Sequence, residues 1–303
     1  GVRIGGWAIG AGTPVGATLL AGRVSGLFRE IQIAAALGVT VSADVAVLLL
    51  TLPDLLVNLV LSGGLSAALI PRLRALPLQA AQALSRQTLL FVSILFGLMA
   101  LMLVFVPRVW FSLLAPGLSA SAMPSSAAII ATAIAIPLAA ATGVTSASLN
   151  SQQKFLVAGC GTLIFNLIVI TALVTGQYSS HDPLLILGIG IATGAALRLF
   201  SQCLTLPRAW LLGPITPSAV DSIFIRGFLT TAATASLMLL VLVVVRAFAS
   251  TITPGAISAF NYATKLVDLP AGVLVTSLAT VALVRLSAHY ASGDRRAAKQ
   301  TLH

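Results

Sequence analysis

Residues 19–38 read LLAGRVSGLFREIQIAAALG, and the two arginines inside this stretch decide how the chain is read. Arg23 and Arg29 are permanent cations in what otherwise has the length and apolarity of a first membrane-spanning helix. An arginine near a bilayer centre costs roughly 2.5–3.5 kcal/mol on insertion scales. That cost is tolerated where the charge faces a water-filled cavity or an anionic partner. The chain holds seven Asp and Glu against seventeen Lys and Arg, so the anion is expected to be a ligand.

Composition carries the reading outward. Hydrophobic residues make up 58% of the chain and charged residues 8%, with a mean hydropathy of +1.06. Soluble domains carry about 25% charged residues, so this chain lacks the polar surface to cover a globule. Uncharged runs at 87–107, 155–181 and 227–245 match the roughly 20 residues needed to cross a 30 Å hydrocarbon core. The runs are continuous rather than alternating, which excludes a β-barrel pattern. Abundant Ala, Gly and Ser point to closely packed helices. The fold expected is an all-α polytopic membrane protein.

Eight helices are predicted, at 6–36, 42–73, 84–107, 124–149, 155–176, 184–207, 226–248 and 255–289. The stretch LAPGLSASAMPSS at 114–126 is a turn cluster. With the N-terminus cytoplasmic, eleven Lys and Arg fall on one side, and only Arg108 and Arg246 on the other. This asymmetry orients the chain, and the net charge of +10 reads as topology signal rather than as a nucleic-acid surface. Arg198 falls within the sixth helix, near enough its end to snorkel. Gly1 is not an initiator Met, and the chain stops in the charged stretch KQTLH, so it reads as a piece of a longer protein.

The second and eighth helices echo one another. Leu52-Pro53 and Leu269-Pro270, 217 positions apart, each precede an apolar small-residue run ending in Arg-Leu. Taken as a repeat, residues 1–210 form one six-helix lobe, and residues 211–303 begin a second in the same orientation. Parallel repeats around a central cavity are a transporter architecture.

The candidate binding residues follow from charge and position. Arg23 and Arg29 are six apart, so on a straight helix they rise about 9 Å and point about 120° apart. Gly22 and Gly26 thin the helix between them, permitting a bend that turns both heads into one cavity. Guanidinium forks suit phosphate oxygens, and two at this spacing suit a diphosphate. Glu30 offers Arg29 a local partner instead, and both readings stand. Lys265 either lines the cavity or pairs with Asp268 three residues on. Asp44 is a gate residue or the cap of its own helix, and Asp54 a deeper acid within reach of an arginine of helix 1. Asn150, Asn166 and Asn261 bond between helices. Cys160 and Cys203 lack ligand spacing, and no catalytic, cofactor or metal motif stands out.

The segments GRVSGLFREIQIAAALG (22–38), SADVAVLLLTLPDLL (42–56) and GGLSAALIPRL (63–73) resemble the opening of the MurJ/MviN lipid II flippases. That family shows S-R-x-x-G-x-x-R-[DE], then T-D-A-F-x-x-A-F-x-x-P-N, then E-G-A-F-x-x-A-F-[VI]-P. LLAPGL (113–118), ASLNSQQKF (147–155) and NYATKLVDLPAGVLVTSLATVALVRLS (261–287) extend the resemblance along the whole chain. It implies two six-helix lobes rocking around a cavity, with lipid II (the undecaprenyl-diphosphate-linked peptidoglycan precursor) as cargo. It also implies a place in the bacterial cytoplasmic membrane, contact with membrane lipids and cell-wall synthesis proteins, and no enzymatic chemistry. The family's cavity cations map onto Arg23, Arg29 and Lys265, and its acid at the start of helix 2 onto Asp44. Departures fall at Val57 and Asn58, where the family is basic, at Ser62, where it has Glu, and at Gly22, where it has Ser. They leave open a flippase for another polyprenyl-diphosphate glycan, or a non-transporting membrane scaffold.

Overall fold

The computed structural model describes residues 7–61, 64–214, 222–268 and 270, and every element among them is helical. In chain order these are α1 (Trp7–Leu37), α2 (Val41–Leu61), α3 (Gly64–Ala75), α4 (Leu78–Phe105) and α5 (Pro107–Leu114). There follow α6 (Ser126–Ser151), α7 (Phe155–Tyr178), α8 (Pro183–Thr205) and α9 (Ser222–Ile252). A tenth helix, α10, begins at 256 and is described as continuous through 268. Short 3₁₀ turns lie at Ala120–Ala122 and Arg208–Trp210.

Among the described residues, α4, α6, α7 and α8 are each long and apolar enough to cross a bilayer. With ten helices described and a 58% hydrophobic composition, the chain is a polytopic membrane protein. Its burial pattern fits that solvent. Phe91, Ile94, Leu98, Leu101, Met102 and Phe105 stand exposed along α4, a row that water would penalise and hydrocarbon does not.

The helix starts follow local chemistry. The Ser125 hydroxyl accepts from the Ala128 amide and caps α6. Asp182 caps α8 through the Leu184 amide, with Pro183 at the first helical position, where its missing N–H leaves no bond unmade. Ser125 Oγ donates to Asp182 Oδ2 at 3.0 Å, tying the two starts together. At the other end, cations hold chain carbonyls: Arg74 reaches Asn150 O, Lys154 reaches Thr205 O, and Arg86 reaches Ala209 and Pro214 O.

Two boundaries depart from the sequence reading. The expected helix 84–107 starts at Leu78, because a polar turn containing Gln79, Gln82 and Arg86 extends it beyond the apolar run. It ends where Pro107 opens the short α5, which apolarity alone did not reveal. The expected helix 42–73 is described as α2 and α3, with 62–63 outside the described residues. The part of the eighth span beyond 270, including its Arg-Leu end, also lies outside them.

α6 is the centre of the bundle, flanked by α2, α3, α4 and α8, while α7 packs on α8 and α1. α8 slides between α6 and α7 on glycines. A Cβ at Gly188 would stand 2.9 Å from the Ala128 carbonyl oxygen of α6, and one at Gly190 would collide with the Ala172 Cβ of α7. Gly190→Leu is therefore expected to force α7 and α8 apart and destabilise the protein by about 3 kcal/mol, read as a lowered thermal midpoint in nanodiscs. α9 packs on α2, α3 and α5.

Candidate functional site

The glycines read above as a hinge are a seam. α1 runs unbroken through Gly22 and Gly26. A Cβ at Gly22 would touch Thr162, and one at Gly26 the Asn166 amide, both on α7. Small residues four apart let two helix backbones approach closely, so the spacing buys packing rather than a bend. Asn166 completes the seam, its amide donating to Gly22 O at 3.1 Å and to Ser25 Oγ at 2.9 Å. Gly26 thus lets α1 approach α7 closely.

The two arginines of α1 have different surroundings. Arg29 is committed within the protein: Nη2 meets Glu30 Oε1 at 2.8 Å and Nη1 meets Asn166 Oδ1 at 2.9 Å. The pair is deep, with side-chain exposures of 12% for Arg29 and 3% for Glu30. The second carboxylate oxygen, Oε2, accepts from the Asn261 amide of α10 at 2.7 Å. Asn261 Oδ1 in turn accepts from Arg246 Nη2 of α9 at 3.2 Å. A chain of polar groups therefore joins α7, α1, α10 and α9. Arg246, counted above with the cations of the outer side at the end of its helix, is buried in this chain of groups. α9 continues to Ile252 rather than 248, which carries Arg246 more than a turn inside its end.

Arg23 goes elsewhere. It lines a cavity of about 510 Å³ with Thr18, Gly22, Ser146, Asn150, Thr162 and Arg198, between α1, α6, α7 and α8. Arg198, assigned above to snorkelling, turns inward to this cavity. Gly161 makes room for it: a Cβ there would sit 2.9 Å from Arg198 Cγ. One turn further along α8, Gln202 is fully buried and its amide donates to Ser146 Oγ at 2.9 Å, clamping α8 to α6.

The two acids of α2 take different positions from those expected. The α2 start is capped by Thr40, whose hydroxyl accepts from the Ala43 amide. Asp44 is buried and reaches across to the start of α10. Its Oδ2 accepts from the Gly255 amide and its Oδ1 from the Ser258 amide, both at 2.7 Å. Tyr262 OH donates to Gly38 O beside it. Gly255 has φ +89° and lies so close to Val39 that a Cβ would stand 2.8 Å from its carbonyl. Only glycine suits that conformation and that approach. Asp54 is exposed, and among the described residues no salt bridge joins it to Arg29, which pairs with Glu30. Asp54 shares a small pocket with Arg198 instead.

Lys265 is half-buried on α10 and makes no ion pair with Asp268 among the described residues. The side chains of Val57 and Asn58 lie outside the described residues, as does Ser62.

Arg198, Arg246 and the cross-helix role of Asp44 are what sequence reasoning missed. A signal existed for the first. Arg198 and Gln202 are four apart in an otherwise apolar helix, so they share one face, and two polar residues on one face of a span mark an interior surface.

Comparison with known proteins places the chain. The family model described as "Lipid II flippase MurJ" matches residues 33–303, a match that begins after both α1 arginines. A protein described as "Probable lipid II flippase MurJ" from Rhizobium tropici is 27% identical over 295 residues, covering 92% of this chain and 55% of its own length. Proteins of the same description from Rhizobium meliloti (strain 1021) and Rickettsia prowazekii (strain Madrid E) are 25% and 26% identical, again over 55% of their length. The chain thus spans about half the length of the curated relatives it matches. A solved structure, "Lipid II flippase MurJ, inward closed conformation", superposes with a TM-score of 0.77 at 21% identity, over 90% of this chain and 58% of that one. That likeness speaks to the fold, and with the family match extending over most of its length, the chain belongs to the lipid II flippase MurJ family.

Proposed function

We propose that this chain supplies the substrate-handling helices of a flippase that carries lipid II across the bacterial cytoplasmic membrane by alternating access. It acts as a transporter and not as an enzyme. Residues 1–210 form one lobe and residues 211–303 open the second, with the N-terminus in the cytoplasm and cell-wall synthesis proteins as partners. The observation that carries this reading is Arg23, an exposed permanent cation in the wall of an open cavity of about 510 Å³ between α1, α6, α7 and α8. Such a charge is retained where it meets water or an anion, and the cargo of this family carries a diphosphate. Lys265 is the second contact from α10, a point charge without the bidentate fork of arginine. Arg29 and Asp44 act differently, holding α1 and α2 against α9 and α10 when the lobes are closed on this side. Asp54 balances charge from the α2 side, and Gly26 keeps α1 in place.

A flippase for another polyprenyl-diphosphate glycan is the second reading. It is favoured by Val57 and Asn58 standing where the family carries basic residues. Replacing Arg23 with alanine tests the first. The variant is expected to reach wild-type levels in the membrane and to fail to complement a conditional lipid II flippase mutant. Full complementation would remove the diphosphate reading. Complementation of an exopolysaccharide flippase mutant alone would favour the second.

A further inference from the structure

We propose that the cavity between α1, α6, α7 and α8 is a phosphate-binding pocket whose principal cation is Arg198, with Arg23 beside it. Three observations carry this. First, the cavity wall contains two guanidinium groups, the Asn150 amide and the Thr162 hydroxyl, and no acid. Second, Arg198 Nε is buried without a hydrogen-bond partner, and no ion pair engages the Arg198 guanidinium among the described residues. A buried guanidine N–H without an acceptor costs free energy that an anion at this position would recover. Asp54 shares a smaller, separate pocket with Arg198 but is exposed and not within salt-bridge distance of it. Third, the room has been made for the charge. Gly161 removes the Cβ that would press on the arginine stem, and Gln202 beneath it has both amide atoms engaged, by Thr145 and by Ser146. A planar fork held in this way matches two oxygens of a phosphate group.

The cavity of about 510 Å³ has room for one or two phosphate groups with their hydration and not for a whole glycolipid. The chemistry shared by every candidate ligand is therefore a phosphate or diphosphate anion, from either a lipid head group or a soluble phosphate. The inference deepens the flippase reading. It rests on that reading for the lipid source and on the geometry for the phosphate.

The test measures binding of farnesyl diphosphate, inorganic pyrophosphate and neutral farnesol to the protein in phosphatidylcholine nanodiscs. Wild type is expected to bind one or both anions and not farnesol, with Arg198→Gln weakening binding at least tenfold. Ala158→Glu keeps Arg198 but sets a carboxylate in the cavity wall, and is expected to weaken binding as much. This second variant keeps the test sound if Arg198→Gln lowers the thermal midpoint. Arg108→Gln removes the same charge from an exposed site and is expected to stay within twofold of wild type. Farnesyl diphosphate binding at least tenfold tighter than pyrophosphate identifies a lipid head group; equal binding identifies a soluble phosphate. Wild-type protein that binds neither anion, or both cavity variants binding within twofold of wild type, overturns the pocket. Complementation scored in parallel separates the two ideas. Unchanged binding in the variants with a complementing wild type sinks the pocket alone. Arg198-dependent binding in a wild type that complements nothing sinks the flippase reading alone.

Discussion

Replacing Glu30 with alanine is expected to destabilise the protein by about 3–5 kcal/mol, the range for removing one partner of a buried ion pair. The size follows from what the carboxylate holds. One oxygen meets Arg29 at 2.8 Å and the other accepts from Asn261 at 2.7 Å. Without it, Arg29 and Arg246 remain as two buried guanidinium groups around an amide, with no anion between them. Arg29 keeps its bond to Asn166 Oδ1, so α1 stays on α7 while its grip on α10 goes. Glu30→Gln keeps an acceptor and the shape but loses the charge, and should fall between. The joint replacement Arg29→Leu with Glu30→Leu should cost less than Glu30→Ala alone, because no lone charge is left buried. Thermal unfolding of the three variants in nanodiscs checks the order. Equal midpoints for Glu30→Ala and wild type would show that the pair contributes nothing.

Asp44→Ala is expected to cost about 3 kcal/mol and to loosen the start of α10 from α2. Two backbone amides, Gly255 and Ser258, lose charge-assisted bonds of 2.7 Å each. Unmade buried donors cost about 1–3 kcal/mol apiece, and the helix dipole loses an anion at its positive end. Asp44→Asn should recover about half, since its amide oxygen serves one N–H while its NH₂ opposes the other. Maleimide labelling of Ser258→Cys reads the local effect, because that side chain is fully buried. Labelling should accelerate at least tenfold when Asp44→Ala is added. An unchanged rate would mean that Gly255 against Val39 and Tyr262 against Gly38 suffice to hold the contact.

The spans were legible where charge is absent. α6 and α7 lie within a few residues of their expected limits, because uncharged runs bounded by Pro, Lys or Asp leave few alternatives, and α8 does so despite Arg198. Arg23 and Arg29 were also recognisable as unusual, since a spanning segment advertises its cations. Their separation was not. It depends on which face of α1 meets α7, and a helix apolar almost all round carries no stripe to reveal its buried side. Gly22 and Gly26 held that information, but two glycines in one helix suit a seam as well as a bend. The partners of Glu30 and Asp44 were out of reach for a different reason. Asn261, Gly255 and Ser258 lie more than 200 positions away, and pairings at that range arise from how whole helices dock, not from any local spacing.

Asn261 has one further consequence. The link between the α1 carboxylate and the α9 guanidinium passes through a neutral amide, with its NH₂ toward Glu30 and its oxygen toward Arg246. Charges of opposite sign at its two ends set the direction of the amide, so the connection engages in one orientation only. When it lets go, each side retains a charge arrangement it already had. Glu30 stays with Arg29, and a dipole rather than a bare ion takes up water. A fastening built this way parts at the cost of one amide hydrogen bond and leaves no carboxylate without its cation.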